Sequence, residues 1–167
     1  VVVSVTEGLE PQRHGWPRPQ HPATIAARDC LFEPYVSAAQ VGQEIVLQNL
    51  DPAMHNFHIG GADGSKNREW DFNFGPRKER PRSIEFRYPE EFVRVRCKNH
   101  NWMFAYITIV KHPFVAVTDR DGRFSIEGLP RGKYTLSASH RKAGALKAEV
   151  VISDDWSREV DFSDRKS

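Results

Sequence analysis

Residues 97–110 read CKNHNWMFAYITIV. Cys97, His100 and Met103 fall three residues apart, and an apolar run follows from Met103 to Val110. Just before them, FVRVRC (92–97) alternates: Val93, Val95 and Cys97 share one face, Arg94 and Arg96 the other. The stretch therefore reads as strand, short polar loop, strand. A thiol closes one end of the loop, a thioether the other, and an imidazole lies between. Packing alone has no use for three such donors in one turn. The pattern makes the fold class all-β and asks whether another part of the chain supplies a further imidazole.

Working outward, CLFEPYV (30–36), EIVLQNL (44–50), HNFHIG (55–60) and SIEFRY (83–88) are all strand-like, with Gly42 marking a turn. VVVSV (1–5) reads as a strand too. Residues 7–29 are proline-rich and aperiodic, a connecting loop with at most one helical turn. Residues 61–82 are irregular and polar. They hold PRKERPR (76–82), whose Arg77, Lys78, Arg80 and Arg82 read either as a solvated loop or as a docking patch for an acidic partner. Beyond Lys111 come FVAVTD (114–119), RFSIEGL (123–129), KYTLSAS (133–139), LKAEVVI (146–152) and REVDFS (158–163), with turns at DRDG (119–122) and LPRG (129–132). DRDG lacks the later ligands of a calcium loop and reads as a hairpin turn.

A chain of 167 residues has room for one domain or two small ones, and 39% hydrophobic residues permit a core. A net charge of +2 gives no electrostatic case for nucleic acid. No apolar run approaches the roughly 20 residues a membrane helix needs, and no signal-peptide pattern is visible. Neither a paired acid and base nor a nucleophile triad stands out, so the expectation is a protein that is not an enzyme.

The further imidazole lies in NLDPAMHNFH (49–58), where His55 and His58 are the candidates. On an extended strand His58 would face away from His55, so the two are not expected to share one ion. His55, Cys97, His100 and Met103 together offer two imidazoles, a thiolate and a thioether. The soft sulfurs stabilise Cu(I), and imidazole serves both Cu(I) and Cu(II), so the set suits copper. A structural zinc site would rarely include methionine. His14, His21, His58, His112 and His140 read as surface or packing residues, and their spacing does not support a second site.

NLDPAMHNFH followed by CKNHNWMFAYITIV resembles the cupredoxins, the blue copper proteins, and the C-x2-H-x2-M loop is similar to the short ligand loop of amicyanin. The resemblance covers roughly residues 28–110. It implies a Greek-key β-sandwich with His55, Cys97 and His100 as equatorial ligands and Met103 axial. It also implies that Asn56 ties the two ligand segments together near Lys98. Two features depart from the pattern. Asn99 and Asn101 flank the loop histidine where proline is common, and Cys30 lies on an early strand near the ligand loops. Cys30 has three open readings: a free thiol, a disulfide with Cys97, or an additional or alternative copper ligand.

TDRDGRFSIEGLPRGKYTLSAS (118–139) resembles the carboxypeptidase regulatory-like, or transthyretin-like, β-sandwich modules. That implies a second small sandwich over residues 111–167, one strand short. Residues 1–10 are expected to complete it, which would nest the cupredoxin inside; a tandem with VVVSV as the first cupredoxin strand is the alternative. The functional expectation is a one-electron carrier acting through His100 on a redox partner, in a periplasmic or extracellular space. Trp102 and Phe104 read equally as docking surface or core. The alternatives are a copper binding or delivery protein with a non-blue or Cys30-modified site, a copper enzyme with an open coordination position, and a metal-free module bridged by Cys30 and Cys97.

Overall fold

A computed structural model describes residues 1–10, 16–60, 64–76, 79–153 and 158–162. Its strands are β1 (Val2–Glu7), β2 (Ala23–Arg28), β3 (Leu31–Glu33), β4 (Val36–Gln40), β5 (Ile45–Asn49), β6 (His55–Ile59), β7 (Trp70–Phe74), β8 (Arg82–Ile84), β9 (Glu90–Arg96), β10 (Phe104–Val110), β11 (Val115–Val117), β12 (Gly132–His140) and β13 (Gly144–Ile152). No helix occurs among the described residues, so none is long and apolar enough to cross a membrane. The chain divides into two compact units, Trp16–Pro113 and a second made of Val1–Gly15 with Phe114–Ser167.

The Trp16–Pro113 unit is a sandwich of two sheets, ordered β4-β10-β9-β6-β7 and β3-β2-β5-β8. Both sheets feed one core. Ile25, Phe32, Ile45 and Leu47 come from one, and Phe57, Phe74, Val95 and Ile107 from the other. Complete burial of Phe57, Phe74 and Phe86 contributes about 1.5–3 kcal/mol each relative to exposure. In β9 the alternation holds: Val93 and Val95 are buried while Arg94 and Arg96 are exposed. Strand β10 is apolar almost throughout because it is interior, parallel to β4 on one edge and antiparallel to β9 on the other. Gly42, at φ +76°, makes the turn before β5 and donates its N–H to Phe86 O at 2.9 Å.

Two strands fall where the sequence predicts irregular chain. Strand β2 lies inside the supposed 7–29 loop. It pairs parallel with β5, and that partner buries Ile25 and Ala27 completely. ATIAAR carries weak strand propensity, so the long-range ladder decides its conformation. Strand β7 lies inside the supposed irregular 61–82. It pairs with β6 from His55↔Phe74 to Ile59↔Trp70, burying Trp70 and Phe74 beneath a polar outer face.

In the other unit, β1 is an interior strand. The sheet runs β11-β1-β12-β13, with β1 antiparallel to both neighbours and Val2, Val3 and Val5 buried. Tyr134 anchors the LPRG turn by donating its hydroxyl to Pro130 O at 2.9 Å. At DRDG, the Asp119 carboxylate accepts the N–H groups of Asp121 and Arg123 at 2.9 and 2.8 Å, closing a tight turn. Two expected strands are not formed: residues 123–129 and 158–162 make no ladder. The turn bonds of Asp119 occupy the backbone that leads into 123–129, and the end of REVDFS at residue 163 lies outside the described residues.

Candidate metal centre

The topology explains why distant residues meet. Strands β9 and β10 form an antiparallel hairpin with Phe104 opposite Arg96, so Cys97 and Met103 stand at its two stems. The loop is cinched by its own backbone: Cys97 N–H donates to Met103 O and Met103 N–H to His100 O, both at 3.1 Å. Strand β6 lies on the other side of β9, antiparallel to it, and its first residue is His55. The start of β6 therefore reaches the end of β9, and His55 arrives beside Cys97.

His55 Nδ1 lies 3.1 Å from His100 Nδ1, which lies 3.6 Å from Cys97 Sγ. One donor atom from each of the three falls within 4.8 Å of the others. His55 is fully buried and Cys97 is buried, while His100 is half-buried. Met103, also buried, packs in the core beneath the loop. Of the four residues singled out in the sequence, His55, Cys97 and His100 are thus brought into one donor group.

Asp51 is the residue the sequence reading missed. Its carboxylate Oδ2 lies 2.9 Å from His55 Nε2 and accepts the Cys30 N–H at 3.0 Å, while Oδ1 accepts the Asp29 N–H at 2.7 Å. Burial raises the Asp51 pKa, but these two amides and the His55 ring outweigh it and hold the group below its ordinary value. An ionised carboxylate only accepts, so His55 Nε2 is the donor in this contact. Nδ1 is then the nitrogen turned toward His100 and Cys97, the arrangement a metal ion needs. The signal was an acid four residues before His55 in NLDPAMH. Asn49 finishes the corner: its side-chain oxygen accepts the Asp51 N–H, and its amide donates to Ala53 O and Gly75 O, each at 2.7 Å.

Asn56 links both segments. Its backbone N–H donates to Cys97 Sγ at 3.3 Å, and its side-chain oxygen accepts the Lys98 N–H at 3.4 Å. Its amide nitrogen donates to Asp71 Oδ1 at 2.7 Å and Asn73 Oδ1 at 3.0 Å on β7. Asp71 in turn pairs with the Lys98 ammonium. The bonds from Lys98 and then Asn56 hold its carboxyl well down, at about 2.

Cys30 and Cys97 are both free thiols, so the disulfide reading of Cys30 does not describe this structure. Cys30 is half-buried and belongs to a second donor group with Asp51 and His55. Trp102 is 56% exposed; its ring centroid lies 5.1 Å from that of His100, tilted by 53°, and its indole N–H donates to Cys30 O at 3.2 Å. Phe104 instead packs with Tyr35 and Tyr106 under the Arg94 guanidinium.

His58 lies on the face of β6 away from the core, its Nε2 2.8 Å from Glu69 Oε1 and 3.2 Å from an Arg96 nitrogen. His21 and His140 are exposed, and His140 Nδ1 accepts the Ala143 N–H. Among the described residues, none of His21, His58, His112 and His140 joins a donor group; His14 lies outside them. In the basic run, Arg77 and Lys78 also lie outside the described residues. Arg82 is engaged with Glu79 at 2.8 Å and lies over the rings of Phe72 and Phe74, which diverts one charge from a docking role.

No family model matches the chain, and no curated protein matches it. Several solved structures are similar to it. A copper-containing nitrite reductase (NirK) from Thermus scotoductus SA-01 aligns at 20% identity and a TM-score of 0.46, over 53% of this chain and 22% of that one. This chain thus spans less than a quarter of the nitrite reductase. An amicyanin mutant in its Cu(I) form aligns at 18% identity and 0.43, over 53% of this chain and 81% of that one. A purple cupredoxin from Nitrosopumilus maritimus aligns at 16% identity and 0.43, over 52% of this chain and 98% of that one.

Proposed function

We propose that the Trp16–Pro113 unit is a copper-binding, cupredoxin-like electron carrier whose ion is held by His55, Cys97 and His100, with Met103 as a weak fourth ligand. The observation that carries this is the convergence of one sulfur and two ring nitrogens from β6 and the β9–β10 loop, with the His55 tautomer set by Asp51. The donor set fits the ion: thiolate and imidazole satisfy both copper oxidation states, and a closed, hydrogen-bonded frame limits their movement. When bound, copper supplies a one-electron redox couple.

The chain's own residues set the conditions. Asn56 donates its N–H to Cys97 Sγ and fixes the position of the sulfur. The core beneath Met103 excludes water. His100 is less buried than His55 and packs against exposed Trp102, so it is the natural face for a redox partner. We assign such a partner, acidic in the region it presents to Arg80 and the 76–82 segment, and a periplasmic or extracellular setting. The unit of Val1–Gly15 with Phe114–Ser167 we read as a carboxypeptidase regulatory-like sandwich without chemistry of its own.

The test is optical. Adding Cu(II) should produce an intense thiolate-to-copper band that bleaches with reductant and returns with oxidant. Cys97→Ser should abolish it. Tight copper binding without that band would favour the delivery reading, and no copper binding would end both.

A further inference from the structure

The second nitrogen of His55 belongs to a different corner of the molecule. Cys30, Asp51 and His55 each offer a donor atom within 4.8 Å of the other two, and neither Cys97 nor His100 takes part. The β2–β3 hairpin builds this corner. Arg28 pairs with Leu31, leaving Asp29 and Cys30 as a two-residue turn with φ of 51° and 55°. Both angles are positive, as a type I′ turn requires, and the second position of such turns favours glycine. Here it holds a cysteine. The turn points both of its amides at Asp51, so the carboxylate is oriented before any ion arrives. Asp51 and His55 are buried, and Cys30 is half-buried at the edge of the core.

Thiolate, carboxylate and imidazole are each ordinary zinc ligands. Calcium and magnesium favour all-oxygen shells, and a carboxylate is a poor partner for Cu(I). We propose that Cys30, Asp51 and His55 Nε2 form a second metal site that takes Zn(II), back to back with the donor group at Nδ1. On binding, the thiol proton passes to water. The His55 Nε2 proton moves to Nδ1 where that nitrogen is free, or to water where copper holds Nδ1, leaving a bridging imidazolate, while the amides of Asp29 and Cys30 keep their bonds to the carboxylate. Three protein ligands leave a fourth position for water or an added ligand. The site shares His55 with the proposed copper centre, the ring bridging the two ions when both are bound; zinc binding to copper-free protein uses Nε2 alone and so does not rest on that reading.

The experiment is equilibrium dialysis against Zn(II), with metals counted by mass spectrometry and Cys30 alkylation followed in parallel. Protein given one equivalent of Cu(II) should still take one of Zn(II) and lose no copper. Zinc should block alkylation of Cys30. Cys30→Ser should weaken zinc binding about 100-fold, the upper end of what even an outer-shell loss costs, with the visible band unchanged. Cys97→Ser should lose the band and keep the zinc. The proposal is overturned if zinc enters only by displacing copper, if both Cys30→Ser and Cys30→Ala bind zinc like the parent, or if Cys30 alkylates equally fast with zinc present. A missing visible band in the parent protein overturns the copper reading alone; the zinc count in Cys97→Ser still decides this one.

Discussion

Asp51 accepts three donors in a buried corner, and that makes it the most consequential polar residue near the candidate centre. Asp51→Asn offers one acceptor where two are needed, so a buried N–H is left without a partner. We expect a loss of about 1–3 kcal/mol in urea unfolding of the metal-free protein. Asp71 permits a prediction about pH. Its folded-state value of about 2 lies below the ordinary 3.8. Its stabilising contribution is therefore complete above the ordinary carboxylate range and is lost as pH falls toward 2. The side chain is 45% exposed, so solvent screening limits the effect to about 0.5–1 kcal/mol. Asp71→Asn should flatten the stability profile over that acid window, measured by unfolding at a series of pH values. Met103→Leu keeps the core volume and should cost less than about 1.5 kcal/mol. If the thioether is a ligand, the same change raises the reduction potential, because an apolar group no longer supports the more highly charged ion; cyclic voltammetry reads this directly.

Among the elements, β6 carries both tasks of the sandwich. One face holds His55, Phe57 and Ile59 toward the core, and the other holds Asn56 and His58 against charged neighbours. All five residues are buried, although only Phe57 and Ile59 are apolar. Phe57→Ala should cost about 3–5 kcal/mol, seen as a lower urea midpoint, and should release the start of β6 that presents His55. The alternation of β9 and the apolar run of β10 were legible in the sequence because each is a local pattern. Strand β2 was not, because alanine-rich ATIAAR becomes a strand only when β5 lies parallel beside it. Strand β7 was hidden by polar surroundings and is defined by its ladder with β6.

For the whole molecule, β1 is an interior strand of a sheet whose other members lie more than a hundred residues later. Val3→Asp would bury an unpaired charge there, at a cost of about 3–5 kcal/mol. The unit built from Val1–Gly15 and Phe114–Ser167 should become protease-sensitive, while the visible band assigned to the other unit persists. Limited proteolysis followed by mass spectrometry of the fragments checks both halves of that statement.

The residues themselves determined the all-β class, the hairpin around CKNHNWM and the placing of His55 and His58 on opposite faces of one strand, because side-chain alternation and donor chemistry are properties of neighbours in the chain. Tertiary structure alone decided that Asp51 faces His55 Nε2, that Cys30 joins them, and that both cysteines stay free. Those outcomes depend on where a two-residue turn of β2–β3 lands relative to the loop after β5. That placement is set by long-range ladders and shared burial, which no local sequence pattern encodes.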